Sequence, residues 1–186
     1  MKRTADQKAL ITRRCIYGIL SLAMMLIIFF FSEMPAKQSD ELSGQVAEVV
    51  AETVYPDYEQ LPAQQKTGAY RLVHHVLRKS AHFSEYALLG ILLYRFFCTF
   101  SFRFPSLATI VTAGMYALSD EWHQGFVEGR GPAITDVLID TSGAAFGIVL
   151  SIILLRLFRA YMNKRFAASV ICAQGRPKEE SQHADE

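Results

Sequence analysis

Cysteine is scarce in this chain: Cys15, Cys98 and Cys172 are scattered and form no CxxC pair. Neither a zinc knuckle nor a disulfide framework follows from such spacing, and the three thiols read as small apolar filler. Net charge is nearly absent as well. Lys and Arg number 19 against 18 Asp and Glu, for a formal charge of +1. A general nucleic-acid binder would carry a basic patch, so no nucleic acid is expected among the partners. The zinc-protease pattern HExxH is missing, as is any established phosphatase or nucleophile motif. No internal repeat occurs, and the sequence leaves any cofactor unknown.

What the chain does have is apolar residues gathered into long runs. They make up 51% of the composition, close to a soluble average, but residues 15–32, "CIYGILSLAMMLIIFFFS", hold no charge at all. That run matches the roughly 20 residues that cross about 30 Å of hydrocarbon. Further apolar stretches at about 82–100, 105–119 and 137–158 are each polar at one end only. The expectation is an all-α membrane protein with four spans, at about 15–32, 80–100, 105–124 and 136–158. A basic tail (1–14) precedes this 15–158 domain and a polar tail (159–186) follows it. The first run is longer than the apolar region of a signal peptide, and "SEMPAKQ" after it lacks a small-x-small cleavage site, so it reads as an uncleaved anchor.

Lys2, Arg3, Lys8, Arg13 and Arg14 flank the first span; Arg156, Arg159, Lys164 and Arg165 flank the last, and Arg103 lies between the second and third. By the positive-inside rule both termini face the cytoplasm and the 33–80 and 125–135 connections face outward. The long connection contains an amphipathic segment with Ser39 or Ser43 as cap and Leu42, Val46, Val49, Val50 and Val54 on one stripe. Pro56 and Pro62 end it. A further helix starts near Gln64 and continues, with no proline, into the second span. The tail after Arg165, closing in "GRPKEESQHADE", reads as disordered.

Topology brings the polar ends of three spans to the outer side. On the second, Arg71, His75, Arg78, His82 and Glu85 share one helical stripe, flanked by Lys79 and Tyr86. On the third, Tyr116, Ser119, Asp120, His123 and Gln124 share a face. On the fourth, Asp136, Asp140, Gly143 and Gly147 do. Charged groups inside a membrane are costly and mark pairing, a wet cavity or a site. Three uses follow from the residue types. His82, Glu85, Asp120 and His123 are candidate metal ligands, with i, i+3 spacing within each pair. His82, Glu85 and Asp120 are candidates for acid–base chemistry. Alternatively, Lys79, Arg78 and Arg130 pair with Glu85, Asp120, Asp136 and Asp140 in a network that fixes the helices. Arg130, in a Gly-rich outer connection, has the fork that suits phosphate or carboxylate. Asp136 also favours the helix dipole, Gly143 and Gly147 allow close helix packing, and Trp122 and Phe126 suit the headgroup level. His74 and His183 look incidental.

The segments "FFFSEMPAKQSDELSG", "KSAHFSEYALLGILLY" and "YALSDEWHQGFVEGRGPAITDVLIDTSGAAFG" together resemble the VanZ-like family of bacterial membrane proteins, over roughly residues 28–150. The family's Lys-x-x-His-Phe-x-Glu-Tyr segment corresponds to Lys79, His82, Phe83, Glu85 and Tyr86. Ser-Asp-Glu-x-x-Gln corresponds to Ser119, Asp120, Glu121 and Gln124, Gly-Arg to Gly129 and Arg130, and Asp-x-x-x-Asp to Asp136 and Asp140. Met34 stands where members often have Gln. The resemblance implies a multi-pass protein of the cytoplasmic membrane and a setting near resistance to the glycopeptide teicoplanin. It supplies no reaction. It adds Glu121 to the catalytic candidates and makes Lys79, His82, Glu85, Tyr86, Asp120, Gln124, Arg130, Asp136 and Asp140 the binding set. The implied partners are membrane lipids, a lipid-linked cell-wall intermediate or a glycopeptide antibiotic, with a hydrolase or transferase acting on a lipid phosphate as the alternative.

Overall fold

The computed structural model describes residues 2–100, 102–127 and 131–174, without the side chains of residues 2, 3, 36–40, 42 and 167–174. Among them are five α-helices and a single 3-10 turn, and no strand. They are α1 (Lys2–Glu33), α2 (Ala36–Val54), α3 (Ala63–Phe97), α4 (Pro105–Gln124) and α5 (Ile134–Gln174), with the 3-10 turn at Tyr58–Gln60. Met1–Ser151 is one compact unit and Ile152–Glu186 a second.

Two of the four expected spans, in α1 and α5, are long and apolar enough to cross a membrane. In α3 and α4 the polar groups of one end dilute the apolar run. The pattern of exposure matters more. Along α1, Ser21, Met24, Ile28 and Ser32 form the buried stripe, while Ile19, Leu22, Leu26 and Phe30 point outward. Along α4, Thr109, Ala113, Ala117, Asp120 and Gln124 are buried and Leu107, Val111, Met115, Leu118 and Trp122 are exposed. A helix in water does the reverse. Here the polar and small residues are inside, and the outward faces suit hydrocarbon.

Within the first unit α3 is the central helix and packs on α1, α2 and α4. Its core is Tyr86, Leu89 and Leu93 against Met24 and Ile28 of α1, Ala113 and Ala117 of α4, and Ala144 of α5. The α3–α5 contact depends on glycine. A Cβ on Gly143 would overlap the backbone of Phe83, one on Gly147 that of Ala87, and one on Gly90 that of Ala144. The expected GxxxG packing is therefore present, reciprocated by Gly90 from the facing helix. At the other end of α1, Arg14 donates to the carbonyl of Thr99 (2.9 Å) and lies 3.9 Å from the Phe100 ring centroid. Arg95 donates to the Tyr17 hydroxyl at 3.0 Å.

Several expectations change. The helix of the first span begins at Lys2, so the basic leader is helical. In the second unit the helix persists to Gln174, where a disordered tail was expected after Arg165; residues 175–186, with His183, lie outside the described residues. α2 is preceded by Pro35, not capped by Ser39 or Ser43. Its buried face is Ala47 and Ala51, packed with Val50 against Ala69 and Val73 of α3. Val46, Val49 and Val54, 54–62% exposed, face away. Small residues let α2 lie close against α3, so the valine stripe takes the outer side. Between the prolines, Asp57 takes the left-handed conformation (φ 61°) that starts the 3-10 turn, a conformation aspartate tolerates better than most side chains. Cys15 and Cys98 are exposed free thiols.

Candidate functional site

α3, α4 and α5 bring their polar residues to one end of the first unit, and the end of α1 closes on them. Lys79 donates to the carboxylate of Asp136, which also accepts from Thr135 at 3.2 Å. Both members of the Lys79–Asp136 ion pair are mostly buried, at 18% and 15% side-chain exposure. One turn deeper on each helix, His82 Nδ1 lies 3.9 Å from Asp140 Oδ1. The i, i+3/i+4 spacings on α3 and α5 make two rungs, Lys79–Asp136 and His82–Asp140, between helices held close by glycine.

α4 contributes differently. Its polar face meets α1 as well as α3 and α5. Asp120 accepts from Ser32 (2.8 Å) and from Gln124 (3.0 Å), and Gln124 also donates to Ser32 at 3.0 Å. All three are buried. Tyr116 donates to the carbonyl of Met25, and His123 stacks on Phe29 with centroids 4.9 Å apart. Asp120 nevertheless stays within electrostatic reach of Asp140, together with Asp136, Glu121 and Glu85. Tyr86, fully buried, sits among Asp120, Asp140 and Glu85. Its hydroxyl has no hydrogen-bond partner among the described residues.

Of the expected binding set, Lys79, His82, Glu85, Tyr86, Asp120, Gln124, Asp136 and Asp140 are gathered here, while Arg130 lies outside the described residues. Glu121, a catalytic candidate with His82, Glu85 and Asp120, accepts from the Ala133 backbone N–H and so ties α4 to the approach to α5. The metal set is not assembled: His123 turns to Phe29 and His82 to Asp140. Among the described residues no group of three or more His, Cys, Asp and Glu is placed to hold a metal ion. Of the expected charge network the Lys79–Asp136 pair forms, and Arg130 lies outside the described residues. Arg78 is exposed and makes no ion pair among the described residues, because the stripe turns out of the bundle above Lys79. His74 is not incidental: it is hydrogen-bonded to Ser43 of α2 (2.7 Å) and stacked on Tyr70. Ser119 is exposed and bonds back to its own helix. Trp122 and Phe126 stack edge to face at 5.5 Å and are 71% and 74% exposed, as an anchor at a polar–apolar boundary requires. Sequence reasoning missed Ser32. Its only signal was a serine in the last turn of a mostly apolar span.

The gathered motif residues are those that the three quoted segments share with one family, and the model of that family, VanZ/LLP1, matches residues 17–156. The chain belongs to the VanZ-like family. No curated protein and no solved structure matches it. The VanZ-like match takes in Ser32, both rungs and the Asp120–Gln124 pair, so it covers the whole described site.

Proposed function

We propose that this VanZ-like chain is a four-span protein of the bacterial cytoplasmic membrane, with both termini cytoplasmic and its polar end open to the outer face. There it binds an amphiphile of the envelope: a membrane lipid, a lipid-linked cell-wall intermediate or a lipophilic glycopeptide antibiotic. One observation carries this reading. Lys79, His82, Tyr86, Asp120, Asp136 and Asp140 are gathered between helices whose outward residues are apolar. A ligand with a polar head and an apolar body suits such a place, since each part meets a matching environment. Arg130, between α4 and α5 in the sequence, adds an anion-gripping fork in this reading. Lipid mass spectrometry on protein purified in mild detergent tests it. The wild type should retain a stoichiometric amphiphile, and Asp140→Asn and Arg130→Ala should each lose it. Equal retention by all three proteins refutes the reading.

The close approach of His82 to Asp140, beside a buried tyrosine, favours a second reading, a hydrolase or transferase on a lipid phosphate. A carboxylate 3.9 Å from an imidazole can serve acid–base chemistry once substrate binding closes that gap. This version requires release of phosphate from a lipid phosphate by the wild type, with Asp140→Asn and Glu85→Gln inactive though still expressed. Activity retained in both variants rules it out.

A further inference from the structure

Above Lys79 the stripe of α3 leaves the helix bundle and lines a second cavity. Tyr70, Arg71, His74, His75 and Arg78 surround about 310 Å³. Arg71, His75 and Arg78 are exposed, and none forms an ion pair among the described residues. The cavity wall is ordered: the Tyr70 and His74 rings stack 5.8 Å apart, and Ser43 bonds His74 at 2.7 Å. Two guanidinium groups and the His75 imidazole thus converge on one space beside the tied-down His74, and its described lining residues include no carboxylate. Arg71 and Arg78 are separated by two turns, with His75 between them on the same face. Leu72 and Val76, 55% and 53% exposed, make an apolar strip next to the cationic one.

We propose that this cavity is an anion subsite that takes the phosphate group of a phosphate-bearing ligand. It deepens the envelope-amphiphile reading, on which it rests, by naming the group the ligand presents. Guanidinium forks make paired hydrogen bonds to tetrahedral oxyanions. Spread over two turns, the forks reach one phosphate from two directions, and the exposed His75 ring adds an N–H donor. The neighbouring Leu72 and Val76 favour a phosphate that carries an apolar body. Arg78 lies one helical turn from His82 on the same helix.

The test uses the full chain in dodecyl maltoside and follows thermal unfolding at constant ionic strength. The probes are inorganic phosphate, dihexanoyl phosphatidic acid and, as phosphate-free control, dihexanoylglycerol. Dihexanoyl phosphatidic acid should raise the Tm of the wild type, with apparent affinity weakened on the order of tenfold or more in R71Q/R78Q. The two side chains are exposed, so the Tm without ligand should be unchanged. R71K/R78K, which keeps the charge but not the forks, should fall between. A shift with the lipid alone assigns the subsite to a lipid headgroup, and a matching shift with inorganic phosphate assigns it to the phosphate itself. The proposal is overturned if no phosphate probe shifts the wild type, if R71Q/R78Q responds like the wild type, or if dihexanoylglycerol does as well as the acid. Asp140→Asn, which weakens retention of the amphiphile as a whole, should reduce but not abolish the phosphatidic-acid shift, since Arg71 and Arg78 still hold the phosphate. If it loses the shift while R71Q/R78Q retains it, the anion goes to the carboxylate cluster. This subsite then falls, while the envelope-amphiphile reading survives.

Discussion

Asp120 and Asp140, only 4% and 2% exposed, face the same buried tyrosine from different helices. The Tyr86 hydroxyl has no protein partner there among the described residues, and a buried unsatisfied hydroxyl costs stability. Tyr86→Phe should therefore melt at the wild-type temperature or above it in detergent, yet lose the co-purified amphiphile. A clear drop in Tm would show that the hydroxyl is needed to hold the helices. Lys79 and Asp136 behave differently. Either removed alone leaves a buried charge, which costs about 3–5 kcal/mol, whereas Lys79→Met with Asp136→Leu should recover most of that loss. Thermal unfolding of the two single variants and the double variant measures the coupling. Outside the spans, Lys66 has its pKa raised above the ordinary 10.5, chiefly by its hydrogen bond to Glu59, with burial opposing. A raised lysine pKa gives stability that is complete below the ordinary value and is lost as pH rises through the folded one. The small Tm difference between wild type and Lys66→Met should accordingly vanish in alkaline buffer.

At the scale of elements, the α3–α5 contact sets the site. Gly143 and Gly147 bring the α5 backbone onto Phe83 and Ala87, and Lys79 and His82 then reach Asp136 and Asp140. Gly147→Leu should force the helices apart. The expected cost is about 1–3 kcal/mol from overpacking, with loss of the bound amphiphile, read by unfolding and lipid mass spectrometry together. Gly68→Leu is the control, since a Cβ there meets nothing within 4 Å. The α2 helix shows how periodicity misleads: Val46, Val49 and Val54 form an apolar stripe, yet Ala47 and Ala51 are buried. Periodicity identifies the helix. It does not choose the buried face when small residues on the other side permit closer packing.

For the whole molecule, the positive-inside reading makes a topological prediction. Glu59, with its side chain 70% exposed in the 3-10 turn, should, as Glu59→Cys in a background with the native cysteines replaced by serine, react with an impermeant maleimide added to intact cells. A cysteine placed at Lys164 should react only after permeabilisation. The opposite pattern would invert the protein and move its polar end to the cytoplasm.

Much was legible in the chain itself. The charge-free run from Cys15 to Ser32, the polar ends of three helices and the GxxxG spacing follow from local composition and helical period, and these placed Lys79, His82, Asp120, Asp136 and Asp140 in one region. The partners needed three dimensions. Histidine spacing suggests His82 with Glu85 and Asp120 with His123, but a side chain chooses among all neighbours, and helix crossing sends His82 to Asp140 and His123 to Phe29. Sequence spacing relates residues on one helix. Only the packing of α1 against α4 could bring Ser32 to Asp120, 88 residues away.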